Sequence, residues 1–133
     1  MRDYAIHQTA VLLRRLAYQV NRTAKNADAE AIHDLRVAIR RLRRCLQVFS
    51  QFYPGQSWKK VRRRLSGLMD AAGDVRDRDI AAKLLVEAGV EPQAAVFERL
   101  GGERKVAAKE LSIELHRWKQ SSFSKKWRTQ LGL

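Results

Sequence analysis

The chain has 133 residues, with 27 lysines and arginines against 14 acidic residues, a net charge of +13 and only 8% aromatic residues. That length suits one domain, residues 1–133, around one core. A single cysteine excludes an internal disulfide, no apolar run is long enough to span a membrane, and the alternation that marks strands is absent.

The first element is a helix from about Tyr4 to Lys25. Ile6, Ala10, Leu13, Leu16, Ala17 and Val20 recur there at three- and four-residue spacing. Asn26-Ala27-Asp28 breaks it, and Asp28 is the expected cap of a second helix from Ala29 to about Phe52. Tyr53-Pro54-Gly55-Gln56 is a turn, after which Ser57 is expected to cap helix three. Trp58, Val61, Leu65, Leu68, Met69 and Ala72 form the apolar stripe of that helix. Gly73-Asp74 is expected to interrupt it, with Asp74 and Asp77 restarting a segment that runs to about Glu87. Ala88-Gly89 ends that segment, and Pro92 is expected to open a long helix reaching Lys119. Ser121-Ser122 separates a short amphipathic helix, Phe123 to Leu131. Helices joined by short connections predict an all-α antiparallel four-helix bundle with a short C-terminal helix.

Charge is distributed unevenly over these elements. Residues 33–64 hold ten lysines and arginines against the single Asp34, whereas residues 65–133 hold twelve against ten acids. On helix two, His33, Arg36, Arg40, Arg44 and Gln47 share a face, flanked by Arg41 and Arg43. Leu35, Ile39, Leu42 and Leu46 occupy the opposite face. A guanidinium row without carboxylates must face water or an anion, because dry burial of unpaired charge is too costly. Arginines one turn apart offer successive planar forks to phosphate oxygens. Lys59, Lys60, Arg62, Arg63 and Arg64 extend the charge on helix three. The partners this field attracts are nucleic acid, inorganic polyphosphate or an anionic membrane. A membrane surface fits least, since the stripe lacks a bulky apolar edge.

His33 is either an anion contact or a first-turn histidine satisfied by solvent or by Asp77. Arg76 either reaches an anion or forms an internal ion pair; Asp74 reads as structural, and Asp77 and Asp79 either are structural as well or orient basic groups of the site. Arg14, Arg15, Arg104, Lys105 and Lys109 could complete a basic lining. Trp58, Trp118 and Trp127 read as core or interface anchors. Cys45 reads as a small apolar core residue in a reducing compartment, and Met1-Arg2-Asp3-Tyr4 does not open a secretory leader, so a cytoplasmic protein is expected.

Two linked motifs carry a resemblance to a known family. His33-x-x-Arg36-Val37-x-x-Arg40-Arg41-Leu42-Arg43 and Gly73-Asp74-Val75-Arg76-Asp77-Arg78-Asp79-Ile80 resemble, in order and distance, the signature elements of the CHAD family, the conserved histidine α-helical domains. The segment from Trp118 to Leu131 loosely resembles the family's closing helix. The resemblance implies an all-α bundle whose basic surface binds inorganic polyphosphate without catalysis, and it raises the expectation of an association with granules of that polymer. Together with the charge pattern of helices two and three, it points to polyphosphate contacts from His33, Arg36, Arg40, Arg41, Arg43, Arg44, Lys59, Arg62, Arg63 and Arg76. Family members are usually about twice as long, with two similar halves, so this chain resembles one half, and a homodimer completing the basic channel is expected. The alternative is a polyanion binder that takes nucleic acid without sequence preference, although aromatic stacking platforms are scarce. No cofactor, metal site or catalytic constellation is expected. The Glu-x-Glu-x-Lys signature of triphosphate tunnel enzymes is absent, so triphosphate hydrolysis is not expected.

Overall fold

The computed structural model describes residues 1–133. The chain is all-α: α1 (Arg2–Lys25), α2 (Ala29–Val48), α3 (Ser57–Glu87), α4 (Ala95–Gln120) and α5 (Phe123–Leu131), with a short 3₁₀ turn at Ser50–Phe52. Asp28 caps α2 as its side-chain type dictates, its carboxylate accepting from the Ala31 N–H at 2.8 Å. α1 packs on α2, α2 on α3, α3 on α4, and α4 returns to α1.

Cross-links fix the directions of the helices. Arg22 near the end of α1 meets Asp34 near the start of α2 at 2.6 Å. Arg62 in the first turns of α3 donates to Gln47 at the end of α2 at 3.4 Å. Arg104 early in α4 meets Asp79 late in α3 at 2.6 Å. Each of these three connections therefore reverses the chain.

The core is one cluster. It holds Leu13, Leu16 and Val20 of α1, Leu35, Ile39, Leu42 and Leu46 of α2, Leu65 and Leu68 of α3, and Leu111 and Leu115 of α4. Each fully buried aliphatic side chain contributes about 1.5–3 kcal/mol. α5 closes one end with Phe123 and Trp127, whose rings stand edge-on to Trp118 at 5.0 and 5.2 Å. Ser122 turns the chain into α5 with φ of 51°. A buried polar knot closes the turn after α2. Thr9 Oγ1 donates to the Ala5 carbonyl at 2.7 Å and shares a 2.7 Å hydrogen bond with the Tyr53 hydroxyl, with Cys45 Sγ beside both.

Four boundaries differ from the expectations of the sequence. α2 ends at Val48, and the chain tightens into the 3₁₀ turn where Phe52 N–H reaches Phe49 O. Ser57 is the first helical residue of α3 and makes no capping bond; Gln56 precedes it. Pro92 lies in a turn closed by Ala94 N–H on Glu91 O, and α4 begins only at Ala95. The largest difference is that Gly73-Asp74 interrupts nothing: α3 is one helix of 31 residues, and Asp74 and Asp77 lie inside it as surface residues rather than caps. Leu65, Leu68, Ala72 and Val75 stay in register across the glycine. Burying that stripe outweighs the roughly 1 kcal/mol that glycine costs a helix.

Candidate polyanion-binding face

Helix periodicity builds the face. The leucine row of α2 is buried in the core, which turns His33, Arg40, Arg44 and Gln47 outward, all exposed. Arg36 and Arg43 sit half-buried on the flank. Arg40, Arg43, Arg44, Gln47 and Arg62 line a cleft of about 170 Å³ between α2 and α3 with no hydrophobic wall residue. A neighbouring hollow of about 320 Å³ on α3 is lined by Trp58, Lys59, Arg62, Arg63 and Ser66. Arg62 belongs to both, so the two hollows form one basic track.

None of the arginines in this track pairs with an acid. Arg36, Arg43 and Arg62 each hold a buried Nε–H with no hydrogen-bond partner in the chain. A buried donor without an acceptor costs about 1–3 kcal/mol. These Nε–H groups are shut off from solvent as well as unpaired, so any contact with external acceptor oxygens falls to the exposed parts of the arginine side chains.

Other cations expected at the face are placed elsewhere. Arg41 lies in a separate groove between α1 and α2, with Arg14, Arg15, Tyr18 and Val37. The leucine row points one way, and Arg41 falls on the side that α1 takes. Arg64 stacks over Trp118 at 4.8 Å and over Trp127 at 5.8 Å, which ties it to the α5 end. Arg104 is not part of a basic lining: it donates to both Asp79 oxygens, at 2.6 and 3.4 Å, and to Ala27 O at 2.9 Å, joining α3, α4 and the α1–α2 turn. Arg76 is half-buried and makes no ion pair. The antiparallel register set by Gln47 and Arg62 puts Arg76 level with His33, because both helices rise equally per residue. These two residues lie about 21 Å of helix from Gln47, outside both hollows.

Sequence spacing does not show how the acids near this face are removed. Asp34, the only carboxylate within residues 33–64, is held by Arg22 of α1, whose proton affinity is raised chiefly by that hydrogen bond. Asp79 is held by Arg104. Both pairs span distant sequence positions, so local patterns carry no sign of them. Trp127 is buried and cannot serve as a base-stacking platform. No three His, Cys, Asp or Glu side chains converge at metal-ligand spacing, and no helix is long and apolar enough to cross a membrane.

Comparison with known proteins agrees with the motifs on α2 and α3. The chain belongs to the CHAD domain family, whose profile matches residues 7–132. No curated protein and no solved structure matches it.

Proposed function

We propose that the chain is a non-enzymatic module that binds inorganic polyphosphate along the α2–α3 track. The observation that carries this reading is the unpaired arginine cluster itself: Arg40, Arg43, Arg44 and Arg62 line one cleft, and none of them pairs with an acid. Membership of a family associated with polyphosphate binding supports it. Polyphosphate is a flexible chain of charged units without bases, so it asks for repeated guanidinium forks and no aromatic platform. His33 and Arg76 take the far end of the polymer, and Lys59 and Arg63 the near end. Two copies of the chain together present a longer track than one. A cytoplasmic setting, where Cys45 stays reduced and polyphosphate granules form, goes with this reading.

The test is a competition titration at physiological salt. Fluorescent long-chain polyphosphate is challenged with single-stranded DNA, RNA and triphosphate. Tight polyphosphate binding that nucleic acids displace poorly is the expected result. Equal competition per unit charge would make the chain a general polyanion binder, and release of phosphate by the purified chain would overturn the non-enzymatic reading.

A further inference from the structure

The outer face of α3 carries a pattern of which the track uses only Arg63. Lys60, Arg63, Gly67, Asp70, Asp74 and Asp77 recur every three or four residues, opposite the buried stripe of Val61, Leu65, Leu68, Ala72 and Val75. All six are exposed, and none of the five charged residues makes an ion pair within the chain. Two cations occupy one half of the stripe and three carboxylates the other. Each half therefore sets like charges one turn apart, an unfavourable arrangement on an isolated helix. Gly67 stands between the halves. A Cβ there would meet nothing within 4 Å, so packing inside the chain gives no reason for a residue that disfavours helix.

We infer that this face is a docking surface for α3 of a second copy of the chain, paired antiparallel about a two-fold axis. The charge order is self-complementary, as an isologous interface requires. The axis that sets Gly67 opposite Asp70 of the second copy also sets Arg63 opposite Asp74 and Lys60 opposite Asp77. Each of these cations then meets a carboxylate, and symmetry repeats each pair. Gly67, exposed and without a side chain, lets the two backbones approach closely near the axis.

The pairing has a consequence for binding, and this part rests on the polyphosphate reading above. A two-fold that makes the α3 helices antiparallel runs normal to the plane they share. α2 lies to one side of that plane, so the operation keeps both α2–α3 tracks on the same side. The dimer presents two arginine tracks flanking the α3 pair as one basic surface, and one polyanion chain can lie on both.

The experiment is sedimentation velocity of the full chain over a concentration series at low salt, without polyphosphate. The chains compared are wild type, K60E, D77K and the charge swap K60E/D77K, none of which touches the proposed polyphosphate contacts. Wild type is expected to dimerise, more weakly as salt rises. Each single reversal is expected to raise the dissociation constant about ten-fold or more, since symmetry reverses two pairs at once, and the swap is expected to restore it. A wild type that stays monomeric throughout, or a swap no better than its parent single variants, overturns the interface. Polyphosphate titration of D77K reports the track separately. A chain that dimerises by the swap criterion yet fails to bind polyphosphate supports the interface and removes only the ligand.

Discussion

Replacing Arg36, Arg40 and Arg44 with alanine tests the track by its salt dependence. Eight arginines and lysines are the proposed contacts: these three with Arg43, Arg62, Lys59, Arg63 and Arg76. A flexible polyanion releases about 0.7 counterion per neutralised charge, so eight contacts give a slope of log K against log salt of about −5.6, and five give a slope of about −3.5. Between 50 and 200 mM salt, the wild-type affinity for long-chain polyphosphate is expected to fall about 2,000-fold and that of the triple variant about 100-fold. Fluorescence anisotropy at four or five salt concentrations measures both slopes. Arginine and alanine are both good helix formers, and the substitutions remove a buried orphan Nε–H at Arg36 and mutual repulsion along the row. The thermal midpoint of the triple variant is therefore expected to equal or exceed that of wild type. An unchanged slope would refute the assignment whatever happened to the affinity, because it would mean that these three charges release no counterions on binding.

Asp79→Ala leaves Arg104 part-buried without its carboxylate. With Arg104 31% and Asp79 18% exposed, the loss is expected at about 1–3 kcal/mol in urea melts followed by circular dichroism, with polyphosphate affinity nearly unchanged. Burial raises the pKa of Tyr53 above its usual 10.0, so the unfolded chain loses that proton at lower pH than the folded one; stability from this group is complete below about pH 10 and declines as pH climbs above it. Tyr53→Phe is expected to remove that alkaline decline while lowering stability at pH 7 by about 1 kcal/mol, and melts at pH 7 and 11 check both. Gly73→Ala is expected to raise stability by about 0.5–1 kcal/mol, because Gly73 sits inside a continuous helix and a Cβ there meets nothing within 4 Å; a destabilised variant would show that α3 is bent or broken at that point.

Local rules make much of this fold legible in the residues alone. Asp28 is a capping residue followed by an amphipathic run, and it caps α2. The bounds of α5 follow from Ser121-Ser122 and the spacing of Phe123, Trp127 and Leu131. The arginine row of α2 is visible because its leucine row is, and the two must face opposite ways. Gly73-Asp74 misleads because a turn signal says nothing of the packing that overrides it. Val75 continues the buried stripe one turn past Ala72, and that continuity is the sign that the helix goes on. Arg41 cannot be separated from Arg40 and Arg43 by spacing, which does not say on which side of α2 the first helix lies. Arg104 and Asp79 are out of reach for the same reason: their meeting depends on the register of α3 against α4.

How the acids are distributed explains why a net excess of cations becomes a usable track. A basic helix in a chain with 14 carboxylates would normally be quenched by whichever acid its fold brings near. Asp34 lies beside His33 and two residues from Arg36, close enough to neutralise the start of the row, yet Arg22 of α1 holds it at 2.6 Å on the opposite flank. Asp79 lies one turn from Arg76, yet Arg104 of α4 holds it. In both cases an arginine outside the track occupies an acid that could have closed it. The two ion pairs therefore act twice: they tie neighbouring helices together and they leave the guanidinium groups between α2 and α3 without an internal acceptor. Releasing either acid by removing its arginine would place a carboxylate within reach of the track. Arg22→Ala and Arg104→Ala should thus weaken polyphosphate binding although neither arginine lies in the cleft, while Asp34→Ala restores affinity in the Arg22→Ala background. Asp34→Ala also returns the net charge to its wild-type value, so the control is Arg22→Ala with Glu110→Gln, an exposed acid of α4 outside every ion pair. Anisotropy on folded protein that shows rescue by Asp34→Ala and none by Glu110→Gln separates sequestration of the acid from simple loss of one positive charge.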